Sequence, residues 1–235
     1  MRKFVRLLAD RYFRRGLRHG VGAAIEHRAL LAPLRVASVV DVGANRGQFA
    51  LLALSLFPDA PVHAFEPTPR PLQRLRAWAA GESRLILHTM ALGATAGEVL
   101  MHLSLSDDNS SLKQPTDRQL AEHPATPMVG SMMVPLARLD MVLTPADLPR
   151  PCLLKIDVQG HELEVLQGCG SLLDAIDHVL VECSYVELYK GQALGDQLAA
   201  HLTQRGFGPA GTSHRSYGAD GTLLQADLLF SRPAA

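Results

Sequence analysis

Val36-Ala-Ser-Val-Val-Asp-Val42 runs without a break into Gly43-Ala-Asn-Arg-Gly47, and this stretch decides the fold. Apolar, β-branched residues dominate 36–42, the composition of a parallel strand covered on both faces. The glycines that follow predict a tight turn, and residues 48–57 (QFALLALSLF) predict a helix that Pro58 closes. Working outward, Val62–Phe65 reads as a second strand ending at Glu66-Pro67. Pro69–Ala80 reads as a second helix, with Pro71 tolerated in its first turn, and Leu85–Met90 as a third strand. Strand, helix, strand, helix, strand implies an α/β fold with a mostly parallel central sheet and helices on both faces. In such folds ligands bind beyond the carboxyl ends of the strands.

Farther along, Glu98–Leu103 and Met133–Leu136 predict short strands on either side of a long loop, residues 104–131. That loop holds Pro115, Pro124 and Pro127 and has the character of a lid or binding loop. Cys152–Val158 returns to the buried-strand pattern. A helix from Glu162 to Leu166 and Gly168, a strand at Val179–Cys183, a helix at Leu194–Arg205 and a strand at Leu223–Phe230 complete the pattern. One domain over 36–235 is expected, preceded by a basic helical extension over 1–35. In the extension Phe4, Val5, Leu8 and Tyr12 share a face while Arg6, Arg14 and Arg18 lie elsewhere, until Pro33 breaks the pattern.

The 235 residues carry a formal net charge of +0, which argues against a general nucleic-acid binder. Cys152, Cys169 and Cys183 form no CxxC pair and no disulfide framework. No apolar run approaches the roughly 20 residues of a membrane span, and no secretory leader is legible. A cytoplasmic location is the expectation.

Two constellations carry chemistry. The first is Asp41, Gly43, Ala44, Asn45 and Gly47 at the end of the first strand, with Glu66 and Pro67 at the end of the second. Glycine lets the backbone approach a ligand closely. The spacing is not G-x-G-x-x-G, which disfavours a dinucleotide pyrophosphate. An aspartate before the first glycine suits a cationic ligand, such as the sulfonium and amino groups of S-adenosylmethionine. Glu66 stands where an acid accepts hydrogen bonds from ribose hydroxyls. Ala91 and Leu92, small and apolar after the third strand, suit a flat base.

The second constellation is Lys155-Ile-Asp157-Val-Gln-Gly160-His161-Glu162. Strand alternation puts Lys155 and Asp157 on one side. Charges crowded at the end of an apolar strand need partners, and Lys155–Asp157 or Lys155–Glu162 ion pairs are the structural explanation. The catalytic one makes Asp157, His161 or Glu162 the base that removes an acceptor's proton. Asp157 and Glu162 offer oxygen ligands for a divalent cation, but no complete ligand set is visible.

The chain resembles the FkbM-family methyltransferases of the class I, S-adenosylmethionine-dependent group. VVDVGANRGQF (39–49), FEP (65–67), ALG and GEV (91–99), NSSL (109–112), LD (139–140), LLKIDVQGHELEVLQG (153–168) and VLVECS (179–184) carry the resemblance in family order. It implies a Rossmann-like fold and O-methylation of a hydroxyl on a sugar, glycan or natural product. It also implies a cofactor at Asp41–Gly47 and Glu66, with Asn109, Ser110 and the KIDVQGHE segment forming the site. The family often has Glu where Gln159 stands, so no carboxylate is expected there.

Two alternatives differ in acceptor or in class. An N-methyltransferase is disfavoured by the missing Asn-Pro-Pro-Tyr type motif. A non-catalytic cofactor-binding protein would dock through its basic N-terminal helix to a membrane surface or a glycan-assembly complex.

Overall fold

The computed structural model describes residues 10–124 and 126–233. Phe4, Val5, Arg6 and Leu8, assigned above to the N-terminal helix, lie outside the described residues. The described part of that segment is not one helix. α1 (Arg11–Arg18) is capped by Asp10, which accepts from the amides of Tyr12 (2.8 Å) and Phe13 (3.2 Å), and a short 3-10 turn then leads into α2 (Arg28–Leu31). Gly20, in the left-handed region at φ 70°, ends the first helix.

β1 (Ser38–Val42), α3 (Gln48–Leu56), β2 (Val62–Phe65), α4 (Pro69–Ala79) and β3 (Leu85–His88) follow the expected alternation. β4 (Ala91–Leu92), β5 (Gly97–Ser104), α5 (Asp117–Glu122), β6 (Met128–Ala137) and α6 (Leu139–Val142) come next. The chain ends with β7 (Cys152–Ile156), α7 (Glu162–Gly168), β8 (His178–Ser184), α8 (Gly195–Gln204), β9 (Gly208–Tyr217) and β10 (Leu223–Ser231).

Seven strands form the main sheet in the order β3-β2-β1-β7-β8-β10-β9. Neighbours from β3 through β8 are parallel, and β10 is inserted antiparallel between β8 and β9. Alternation sorts the β1 side chains between two cores. Val39 faces α3 and α4 with Val62, Leu153 and Trp78, while Val40 and Val42 face α7 and α8 with Leu154, Ile156 and Leu198. Helices therefore cover both faces, as the α/β reading requires.

The region between β3 and β7 departs from expectation. β5 and β6 are longer than the patterning suggested and form an antiparallel pair, which β4 joins in a separate three-stranded sheet. Exposed residues over much of β6 weaken the alternation signal that would have extended it. The stretch read as an irregular loop thus loses both ends to strands and contains α5.

The N-terminal segment belongs to the core. α3 is apolar all round, so its outer face needs cover, and this segment supplies it: Tyr12 and Phe13 of α1, with Val21 and Leu31 beyond it, join the cluster around α3. A Cβ on Gly16 would stand 2.4 Å from Leu51, so only glycine permits this approach. Among the described residues, no helix is long and apolar enough to cross a membrane.

Candidate active site

Strand order reverses between β1 and β7: from β1 the chain builds out through β2 and β3, and later returns on the other side through β7 and β8. A crevice at the carboxyl ends is the topological consequence. A cleft opens there, lined by the ends of β1, β2 and β7, the 107–112 segment and the N-terminal residues Ala24, Glu26 and His27.

The glycine turn is shaped by the chain itself. Gly43 has φ 78°, and a Cβ there would lie 1.9 Å from the carbonyl oxygen of Asp157, so β1 and β7 converge only because that Cβ is missing. At Gly47 (φ 88°) a Cβ would strike Leu75 and Trp78, and the Trp78 indole donates to the Arg46 carbonyl at 2.7 Å. Gly43 also lines the cleft, so its missing Cβ serves that wall as well as the β1–β7 contact, whereas at Gly47 the close approach is of protein to protein. Ala44 and Asn45 do face the cleft, Asn45 with a positive φ of 48°.

Asp41 is placed differently from the expectation. It is fully buried and does not line the cleft. Its cation is internal: Lys155 Nζ lies 3.3 Å from Oδ1. The same ammonium stands 3.6 Å from Asp157 Oδ2 and donates to the Gly43 carbonyl at 3.1 Å. Burial alone would lower the Lys155 pKa, but Asp41 and Asp157 outweigh it and keep the ammonium charged. Lys155–Asp157 is thus the ion pair that forms, and Lys155–Glu162 does not.

Glu66 does line the cleft. Its Oε2 accepts from the Asn45 amide at 2.9 Å, and its Oε1 accepts from the Thr68 amide at 2.7 Å and from the Thr68 hydroxyl. Burial raises its pKa while these donors oppose the rise. A carboxylate has about four acceptor positions, so one more donor fits. Pro67, Ala91 and Leu92 share the wall with Phe65 and Met90, giving an apolar flank. Phe65 is held flat by the His88 ring stacked on it at 4.2 Å.

In the 107–112 segment, Asp107, Asp108, Ser110 and Leu112 line the cleft, but Asn109 does not; its amide donates to Thr126 Oγ1 at 3.1 Å. Ser110 Oγ accepts from the Ser104 amide. Arg46 clasps Asp108 at 2.6 Å, pinning this segment to the glycine turn.

The remaining candidates separate. Asp157 faces the cleft, and Gln159 donates to its Oδ1 at 2.8 Å. His161 lines another part of the wall, with Nε2 where a Cβ on Gly93 would come within 2.9 Å. Burial lowers the His161 pKa, although Glu164, 3.6 Å away, opposes this. Glu162 is turned inward. It accepts from the amides of Gly160 (2.9 Å) and Val158 (3.2 Å) and so holds the sharp turn in which Gln159 and Gly160 adopt φ 56° and 100°. Burial pushes its pKa up to about 7. Its geometry is that of a loop clamp rather than a group that meets a ligand.

Gln159 holds the base of the site. Its amide nitrogen donates to Asp157 (2.8 Å) and Glu182 (3.1 Å), and its oxygen accepts from Tyr189 (2.9 Å). A glutamate could not donate to two carboxylates. Among the described residues no group of three or more His, Cys, Asp or Glu is arranged to hold a metal ion. Sequence reasoning also missed Glu26, His27 and Asp227, since no local pattern marks them.

An apolar flank, a central acceptor and a charged end suit a ligand with a flat base, a diol and a charged tail. The family described as "Methyltransferase FkbM domain" matches residues 41–209. The chain is 30% identical to the 2-O-methyltransferase NoeI of Sinorhizobium fredii, over 77% of this chain and 78% of that one. It is 30% identical to the hexuronic acid methyltransferase AglP of Haloferax volcanii, over 60% of this chain and 54% of that one. Identity is 33% to the 31-O-demethyl-FK506 methyltransferase FkbM of Streptomyces tacrolimicus, over 65% and 63% respectively.

Proposed function

The chain belongs to the FkbM methyltransferase family, and from that premise we propose that it transfers a methyl group from S-adenosylmethionine to a hydroxyl of a sugar, glycan or natural product. The observation that carries the reading is the cleft at the β1/β7 reversal, with Glu66 on one wall and Asp157 on the other. Relatives named as 2-O-, hexuronic acid and 31-O-demethyl-FK506 methyltransferases support a hydroxylated acceptor.

The bound sulfonium supplies an electrophilic methyl carbon. Glu66 would accept from one ribose hydroxyl, and Phe65, Met90, Ala91 and Leu92 would flank the base. The charged end of the cleft, built from Lys155, Asp157 and the Asn45 turn, would hold the amino-acid tail. Asp41 acts through Lys155, which it positions.

Asp157 would accept the proton that the acceptor hydroxyl gives up on methylation. Alignment supplies much of the acceleration. Lys155 and Gln159 fix the Asp157 carboxylate, so its orientation is set before the acceptor arrives.

Titration calorimetry with S-adenosylhomocysteine, with NAD as control, tests the cofactor. Micromolar binding of the first alone is expected, weakened at least roughly ten-fold in Glu66→Gln, a loss of about 1.4 kcal/mol. Folded protein that binds neither ligand would defeat the reading.

A further inference from the structure

A second cavity of about 120 Å3 adjoins the cleft. Glu26, His27, Lys155 and Asp157 face both spaces; Glu182, His214 and Asp227 face the second one only. We propose that this chamber receives the acceptor, and that its carboxylates select a hydroxylated acceptor bearing an ammonium group, as in an amino sugar, over one bearing a carboxylate. The proposal rests on the methyl-transfer reading of the adjoining cleft.

Three observations carry it. First, Asp227 on β10 and Glu182 on β8 are register partners in the antiparallel pair. Like charges directly opposite one another destabilise a sheet, so this placement has a cost that a ligand cation removes.

Second, Asp227 is poorly satisfied. Its side chain is 14% exposed, and it accepts no hydrogen bond from the described residues. Its nearest basic group, His27 Nδ1, is 3.9 Å away and already paired with Ser213 Oγ at 2.8 Å. Burial and the charge of Lys155 hold His27 neutral, with a pKa lowered to about 4. His27 is itself only 9% exposed in its side chain, and its Nε2 lies 3.7 Å from Glu26 Oε1.

Third, the one lysine or arginine among the described residues that line the chamber is committed. Lys155 serves Asp41, Asp157 and the Gly43 carbonyl. Glu26, Glu182 and Asp227 are left without an ammonium of their own. A ligand ammonium brings three donors to them, and acceptor hydroxyls bring more. A ligand carboxylate would meet Glu26, Glu182 and Asp227, a repulsive form of selection. Glu26, His27, His214 and Asp227 all lie outside residues 41–209, the span that the family match covers.

The test measures binding of three methyl glucosides by saturation-transfer NMR at about pH 8, above the value of about 7 to which burial raises Asp227. One carries an ammonium on the exocyclic carbon, one is neutral and one is the uronide. The ammonium sugar is expected to bind at least roughly ten-fold more tightly than the uronide, a difference of about 1.4 kcal/mol. Asp227→Asn should remove most of that difference. Glu26→Gln, at a side chain 44% exposed, should reduce it without threatening the fold. Equal binding, preference for the uronide, no saturable binding of the ammonium sugar, or wild-type ranking in both variants would overturn the proposal. A parallel titration with S-adenosylhomocysteine separates the failures: its absence of binding defeats the cofactor reading, while the sugar ranking still decides the chamber.

Discussion

Lys155 Nζ and Asp41 Oδ1 lie 3.3 Å apart at the junction of β7 and β1, and among the described residues no other donor reaches either Asp41 oxygen. Asp41 is fully buried and Lys155 nearly so. Removing one partner strands a buried charge, which costs about 3–5 kcal/mol. Lys155→Met should lose that much stability in urea unfolding, and Asp41→Asn combined with Lys155→Met should recover part of it. Additive losses in the double variant would refute the coupling.

Gly43→Ala should disrupt the site. The new Cβ meets the Asp157 carbonyl oxygen at 1.9 Å in a backbone region that L-residues avoid. Strain and overpacking together cost about 2–5 kcal/mol. Loss of S-adenosylhomocysteine binding should accompany the drop in melting temperature. Gly22→Ala is the control, because nothing lies within 4 Å of its Cβ position. Similar behaviour of the two variants would contradict the tight β1–β7 junction.

Stability should fall between about pH 6.5 and 8. Burial raises the folded-state pKa of Asp227 to about 7, with Asp157 adding to the rise, and burial likewise raises Glu162 to about 7. The folded protein therefore binds protons that the unfolded chain has released, so stability is lost as pH climbs through the folded values. His27 and His88, both lowered to about 4 mainly by burial, act in the opposite sense, but only between about 4 and 6.5. Asp227 alone contributes roughly 0.5–1 kcal/mol of the loss across the higher window. Chemical denaturation at several pH values should show a shallower slope in Asp227→Asn; an unchanged slope would remove this residue from the account.

Asp157→Asn should slow methyl transfer by about 10²–10⁴-fold, the range for a removed base. Affinity for S-adenosylhomocysteine should change far less. Single-turnover rates with an accepted sugar, set beside calorimetry, give both numbers. Wild-type turnover would exclude Asp157 as the base.

Much of the fold was legible because its signals are local. A β-branched run, a glycine turn and an apolar helix fix β1 and α3 from neighbouring residues alone, and Glu66 is marked by its position at the end of β2. Same-side placement of Lys155 and Asp157 follows from strand alternation. The roles of Asp41, Glu162 and Asn109 were not legible, since each depends on which neighbour captures the side chain. Asp41 is taken by Lys155, Glu162 by the backbone amides of its own turn, and Asn109 by Thr126.

By itself, then, the sequence determined the alternating α/β order, the turn that opens the cleft and the family motifs from residue 39 to residue 184. Only the tertiary structure brought Glu26, His27, Glu182 and Asp227 around one chamber. They come from an N-terminal turn, a parallel strand and a late antiparallel strand. Periodicity records which face of an element is buried, but the meeting of distant side chains depends on sheet order and register, which put Asp227 opposite Glu182.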